Sequence, residues 1–491
     1  MNSTYLRNPS MMRNVRRCSV GALLLALLGC NADKLQVPNY NDPTPEGVST
    51  DPNGVQFLTA GILVRERSSL NNSLIRDVGM FGRESYYYFP TDARFVSHFF
   101  IGQTSGGIKS LDPTGFASGQ FFGWFQNMKN EGNLITVVQA SQRPATEKSA
   151  VRGFANTFRG LDDWYVLLTR DSIGMPVDVA ADPTVPSPWV TRDSAFKFAE
   201  AMLDSASKDL AAGGAAFPFS INASFTGFST VAGFLQFNRA IAARVYNDHA
   251  SKGCGAACYT KALTALAGSF IKSPASQADL DIGPAHAFSA NAGDILNEYN
   301  ITTDAIQFAH REPVDSAQTQ VTGGADARVQ RKLVALPSPR PAPGSGLGIP
   351  ATYRFGIYAT TTTPLPIIRN EELVLIRAEA RYFTGDLVGA LNDLNSVRQI
   401  SGNLAALTAA DIVTPTLFTN RLLYERWMSL LMEGHRWNDY RRYGRLSDLP
   451  RDITTGANAH FVARVMPIPQ QECDARKTGT GTWSTPAGTC Q

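Results

Sequence analysis

EELVLIRAEARYFTGDLVGALNDLNSVRQ, residues 371–399, decides the fold. Leu373, Leu375, Ile376, Ala380 and Phe383 recur at three- and four-residue spacing, the mark of a helix with one apolar face. Gly385-Asp386 ends that helix and opens a second, on which Ala390, Leu391, Leu394 and Val397 form the stripe to be buried. Small Ala378, Ala380 and Ala390 let the two helices approach closely. The stretch predicts a helix-turn-helix pair that must bury one face against a neighbour.

Such a unit has tetratricopeptide character, and the helical patterns along the rest of the chain predict a mainly α-helical body with long irregular segments. It is not a DNA reader, because its exposed face lacks a basic stripe. Upstream, the same periodicity predicts helices over Gln120 to Ala140, Glu147 to Leu168, Ser194 to Ala211, Ser229 to Asp248 and Tyr259 to Ser269. Trp124 and Trp164 fall inside two of these patterns and are expected to fill the core.

Downstream, residues 411–445 carry Arg421 to Trp427 and Leu430 to Gly444, dense in arginine, acid and tryptophan. If helix runs through Gly434, Glu425, Glu433 and Arg436 share a face, and Arg436 and Asp439 form an i,i+3 pair. This predicts a partly buried ionic network. A catalytic carboxylate dyad is the sharper alternative, set against the structural role that the arginines give the acids. His435, within the same stretch, is expected to be a hydrogen-bonded structural residue.

The N-terminus has a different logic. Arg7, Arg13, Arg16 and Arg17 precede an apolar run from Val20 to Leu28, which is too short to span a hydrocarbon layer of about 30 Å. Leu27-Leu28-Gly29-Cys30 then matches a lipoprotein processing site. The expected organisation is a signal peptide over 1–29, a tether lipidated at Cys30 over 30–53, and a body over 54–491. Removal of the signal takes four arginines and no acid, lowering the formal charge from +3 to −1 and leaving no electrostatic case for nucleic acid.

Export places the remaining cysteines where disulfides persist, and Cys254–Cys258 with Cys473–Cys490 is the simplest of three pairings. The second pair would clip the Lys477 to Thr489 tail onto the body. A four-cysteine metal site competes with this reading, but no histidine or acidic cluster is expected to accompany the pairs.

Enzyme signatures are absent. The six histidines form no metal-ligand spacing, and there is no nucleophile elbow, phosphate-binding loop or dinucleotide fingerprint. The irregular segments instead concentrate aromatic residues. Gly82 to Phe100 holds Tyr86, Tyr87, Tyr88, Phe89, Phe95, Phe99 and Phe100, with Arg83, Glu84, Asp92, Arg94 and His98 between them. Pro337 to Pro350 is a Pro/Gly/Ser loop without periodicity. Loops on a rigid helical scaffold are a common place for recognition.

Four blocks carry a family resemblance: Asn156 to Val179 with Asp163-Trp164-Tyr165 and Gly174-Met175-Pro176; Pro364 to Arg369 running into the helix pair; Glu425 to Gly444; and Met466-Pro467-Ile468-Pro469-Gln470. With the short element Asp326-Ala327-Arg328, the chain resembles the SusD/RagB family of outer-membrane nutrient-binding lipoproteins. The resemblance implies tetratricopeptide-like helix pairs with long irregular ligand-binding loops, divided into an N-terminal part over about 54–250 and a C-terminal part over about 290–491. It also implies capture of a glycan or other nutrient, delivery to a TonB-dependent outer-membrane transporter, and no catalysis or cofactor. The cysteine pairs depart from the family's general signature.

Sugar rings present apolar faces bordered by hydroxyls, so an aromatic platform with polar edges suits them. Tyr86, Tyr87, Tyr88 and Phe95 are the expected ligand contacts. An envelope-assembly scaffold, a peptide receptor and a hydrolase are the rival readings.

Overall fold

The computed structural model describes residues 53–116, 120–179, 185–292, 294–299, 306–477 and 490. The expected signal peptide, Cys30 and nearly all of the tether lie outside these residues.

A train of helices builds the body. Helices α1 (Gly54–Ser69) and α2 (Ile75–Phe81) are joined by a π-type turn, Leu70–Leu74. They are followed by α3 (Phe122–Ala140), α4 (Ala145–Arg170), α5 (Arg192–Ala211), α6 (Val231–His249) and α7 (Ala256–Ala267). From α3 onward each packs on its successor, and α7 hands over to α8 (Asn370–Phe383), which pairs with α9 (Leu387–Gly402). Helices α10 (Pro415–Ser429) and α11 (Arg436–Arg442) complete the C-terminal part. Among the described residues no helix is long and apolar enough to cross a membrane.

Local chemistry fixes several helix starts. The side chains of Thr191, Thr230 and Asp386 accept the backbone N–H groups of Ser194, Gly233 and Gly389, satisfying donors that a helix N-terminus leaves orphaned. Pro415 at the first position of α10 follows the capping Thr414. Asn403, left-handed at φ 53°, ends α9.

Burial then joins the helices. Phe154 and Phe158 of α4 meet Phe234 of α6, with ring centroids 5.1 and 6.0 Å apart. Close approach of α4 to α5 depends on glycine: a Cβ at Gly160 would stand 2.6 Å from Leu203 Cγ, and one at Gly153 2.5 Å from Leu210 Cγ. A second core lies where Val374, Leu375 and Ala378 of α8 meet Ala390, Leu394 and Val397 of α9 and Phe418 and Leu422 of α10. Tyr382 stacks on Phe418 at 3.8 Å. Trp124 and Trp164 are both buried.

The shared face of Glu425, Glu433 and Arg436 required helix through Gly434, and that condition is not met, because the chain breaks between α10 and α11. Met432 and Gly434 adopt φ of 61° and 88°, conformations that no continuous helix tolerates. The acids accordingly face different partners. Glu425 takes Arg328 and Arg398 at 2.6 and 2.8 Å, Glu433 takes Arg369 at 2.6 Å, and Arg436 takes Glu312 at 2.7 Å. Asp439 pairs with Arg426 and Arg442 at 2.8 and 3.0 Å and makes no pair with Arg436. The Asp326-Ala327-Arg328 element belongs to this network, with Arg328 2.7 Å from Asp326.

A small antiparallel sheet, invisible to the helical periodicity, sits beside α2. Its order is β1 (Ser85–Tyr87), β2 (Gln307–Ala309), β4 (Ala351–Phe355), β3 (Leu333–Arg340). Register places Tyr86 opposite Phe308, and Ala309 opposite Tyr353. Cys254 is disulfide-bonded to Cys258, and Cys473 to Cys490.

Candidate functional site

The aromatic segment acquires two faces from its backbone. Gly82 and Arg83, the latter at φ 56°, turn the chain out of α2 into β1, where successive side chains point to opposite sides. Tyr86 and Tyr88 go inward and are 2 % and 1 % exposed. Their rings stack at 5.1 Å; the Tyr86 hydroxyl donates to Asp452 at 3.1 Å and the Tyr88 hydroxyl to the Ile349 carbonyl at 2.6 Å. The expectation that these two contact ligand is thereby corrected. Strand alternation sends them to the core, where both their faces and their hydroxyls are occupied.

Tyr87 and Phe89 take the outer face, 6.4 Å apart with nearly parallel planes. Phe95, from the helical turn Arg94–Val96, lies 4.5 Å from Tyr87, and Phe116 lies 4.7 Å from Phe95. The four rings form one patch: Phe89 is exposed, and Tyr87, Phe95 and Phe116 are half-buried. Two of the expected contacts, Tyr87 and Phe95, belong to it. Phe116 was not legible, since it stands alone between Gly115 and Ala117 with no periodic neighbour.

Cations order the patch from beneath and from the rim. The Arg76 guanidinium lies 5.0 Å from the centres of both the Tyr87 and Phe95 rings and is tied to Asp77 at 2.7 Å. Arg94 lies 4.6 Å from Phe116 and forks onto Asp92. Hydrogen bonds from Arg94 hold the Asp92 carboxyl down to about 2, so it stays an acceptor and a poor proton donor. His98 packs 5.4 Å from Phe116, and its Nδ1 accepts the Phe116 N–H at 3.4 Å; burial pushes its pKa down. Apolar ring faces bordered by fixed polar groups can hold a polyhydroxylated ring without chemistry being done on it.

A cavity of about 460 Å³ near the start of α8 has another character. Arg369 bridges Glu433, Glu371 and Asp281 at 2.6, 2.7 and 3.1 Å, and Lys332 donates to the Ser429 carbonyl. Burial pushes the Lys332 amine down to about 8, whereas Arg369 and Lys332 hold Glu371 at about 2 against its own burial. Its one ring, Tyr358, is buried. These charges are occupied with one another. A water-sized space nearby is lined by Trp164, Arg244, Glu372 and His435, with Arg244 2.6 Å from Glu372 and His435 3.5 Å from the same carboxylate. His435 is a buried member of this ionic core.

Residues 356–480 match the SusD family. No curated protein matches the chain in sequence. Among solved structures, a SusD superfamily protein from Bacteroides vulgatus superposes with a TM-score of 0.62 at 14 % identity, covering 87 % of this chain and 97 % of its own. NanU of B. fragilis gives 0.61 at 12 %, covering 92 % and 100 %, and surface glycan-binding protein A from Bacteroides thetaiotaomicron, in complex with laminarihexaose, gives 0.58 at 13 %, covering 88 % and 98 %. At such identities the likeness is one of fold. The sequence match to the SusD family covers residues 356–480, and the likeness over the rest of the helical body is one of fold.

Proposed function

We propose that this protein is a surface lipoprotein of the bacterial outer membrane that captures a glycan and delivers it to a TonB-dependent transporter, without catalysis. The observation that carries the reading is the outer patch of Tyr87, Phe89, Phe95 and Phe116, held in place by Arg76 and Arg94. A related fold, surface glycan-binding protein A, is seen with laminarihexaose, which supports a carbohydrate as the ligand class.

The test is a panel of glycans and peptides screened against the purified protein, followed by titration of the best ligand into a Tyr87→Ala/Phe89→Ala variant. Loss of two stacking faces is expected to weaken a glycan at least about tenfold, equivalent to about 1.4 kcal/mol, with helix content unchanged. Unchanged affinity of the folded variant removes the patch from the site. Selective peptide binding favours the peptide receptor, and turnover of the bound glycan favours a hydrolase.

Anchoring is proposed at Cys30. One acyl chain binds membranes only marginally, so retention rests on multiple acylation of that cysteine. Cys30→Ala is expected to abolish lipid labelling and to release the exported protein from the membrane fraction. Retention with lipid labelling intact would place the anchor elsewhere. Isolation from intact membranes with a TonB-dependent barrel supports delivery, whereas an assembly complex in its place supports the scaffold reading.

A further inference from the structure

Far from the aromatic patch in sequence, the end of α6 gathers ligands of another kind. His249 stacks on Phe196 of α5, with ring centroids 4.8 Å apart and planes 5° apart. Its Nδ1 lies 2.6 Å from Glu200 Oε1 and 3.7 Å from Cys258 Sγ, and its Nε2 lies 3.1 Å from Asp193 Oδ1. The π-type turn Ala250–Cys254 then brings Cys254 beside Cys258, in the first turn of α7. The ligand atoms of His249, Cys254 and Cys258 all fall within 4.8 Å of one another. Glu200 Oε1 is 3.9 Å from Cys258 Sγ, while Glu200 Oε2 is held by Lys261 at 3.2 Å. His249, Glu200 and Cys258 are buried; Cys254 is half-exposed and gives the cluster its opening to solvent.

We propose that reduction of the Cys254–Cys258 disulfide converts this cluster into a binding site for a zinc-class divalent cation. Two thiolates, one imidazole and one carboxylate make a four-donor set suited to tetrahedral zinc, and three residues between the cysteines is a spacing zinc sites use. The outer contacts are those that orient metal ligands: Asp193 on the far nitrogen of His249 and Lys261 on the far oxygen of Glu200. A dithiol reductant supplies two electrons and two protons, leaves as its own disulfide, and cleaves the S–S bond to two thiols. The arriving cation displaces to solvent both thiol protons and the proton held between His249 Nδ1 and Glu200 Oε1, and it takes His249 through Nδ1, with the ring's remaining hydrogen on Nε2, donated to Asp193. While the disulfide stands, both sulfurs are committed to each other and the site is closed.

The experiment uses the full-length protein, oxidised or reduced, with the reductant removed under anaerobic conditions before Co²⁺ and then Zn²⁺ is added. Reduced protein is expected to take up about one Co²⁺ with the thiolate charge-transfer and tetrahedral ligand-field bands of such a donor set. Zn²⁺ is expected to displace it, and the oxidised protein to show no bands. Cys254→Ser/Cys258→Ser is expected to abolish them with Cys473 and Cys490 intact, and Asp193→Asn to weaken the metal about 10- to 100-fold. A readout that needs no variant is alkylation of the reduced wild-type protein. Zn²⁺ is expected to protect Cys254 and Cys258 and to leave Cys473 and Cys490 reactive. Absence of the thiolate bands in reduced protein, or equal alkylation of Cys254, Cys258, Cys473 and Cys490 with and without Zn²⁺, would overturn the proposal.

Discussion

Tyr86 and Tyr87 are adjacent in sequence and opposite in role. One places its hydroxyl on Asp452 in the interior, and the other offers a half-buried ring to solvent over Arg76. Composition located the aromatic segment but could not divide it, because the division depends on β1 pairing with β2 more than two hundred residues away. The same turn buries Glu84, which is 1 % exposed and whose carboxyl burial pushes up to about 8 despite the opposing charge of Arg436. Between its ordinary value of 4.5 and about 8, the folded protein keeps a proton that the unfolded chain has released. Rising pH across that window therefore disfavours the fold. Glu84→Gln, which has no proton to lose, is expected to gain stability relative to wild type by about 2 to 4 kcal/mol between pH 5 and pH 8. Thermal unfolding of both proteins across this range measures the gain; a constant difference would mean that Glu84 is ionised in the folded state.

Helices α3 to α9 were legible because each presents an apolar face of helical period over three or more turns, whereas α1 was not singled out. Predicted Ser194 to Ala211, for example, corresponds to α5 at Arg192–Ala211, differing only at the capped end. Strands of three to eight residues leave no comparable trace, and β3 is broken by a register shift between Ala335 and Arg340. Continuity through Gly434 stayed open in the sequence for a local reason: the charge pattern alone suits a continuous helix, and the left-handed backbone of Met432 has no sequence signature. Contact between α4 and α5 is set by Gly153 and Gly160, neither marked by composition. Gly160→Ala adds a methyl group where Leu203 stands 2.6 Å away. It is expected to destabilise the protein by about 1 to 3 kcal/mol, through overpacking that outweighs alanine's better helix propensity. Denaturant unfolding gives the value, and a stabilised variant would show that the two helices can separate without cost.

Across the molecule, a helical body supports irregular segments that carry the outer aromatic patch. The blocks that carry the family resemblance have visible structural roles. Asp326-Ala327-Arg328 locks onto Glu425, the helix pair forms the second core, and Met466 donates its backbone N–H to Thr169 at 2.9 Å, tying the C-terminal segment to α4. These roles are scaffolding, which explains why the blocks revealed the fold more readily than the candidate ligand contacts. The proposed ligand patch is built from residues 76, 87, 89, 95 and 116, whose association only tertiary structure reveals.

Hydrogen–deuterium exchange of the full-length protein, free and saturated with the best-binding glycan, tests the capture site most directly. The account predicts slower exchange in the segments around Tyr87 to Ile101 and Asp112 to Phe116. Protection confined to the segments around Gly356 to Glu371 and Glu433, beside the charged cavity, would contradict it.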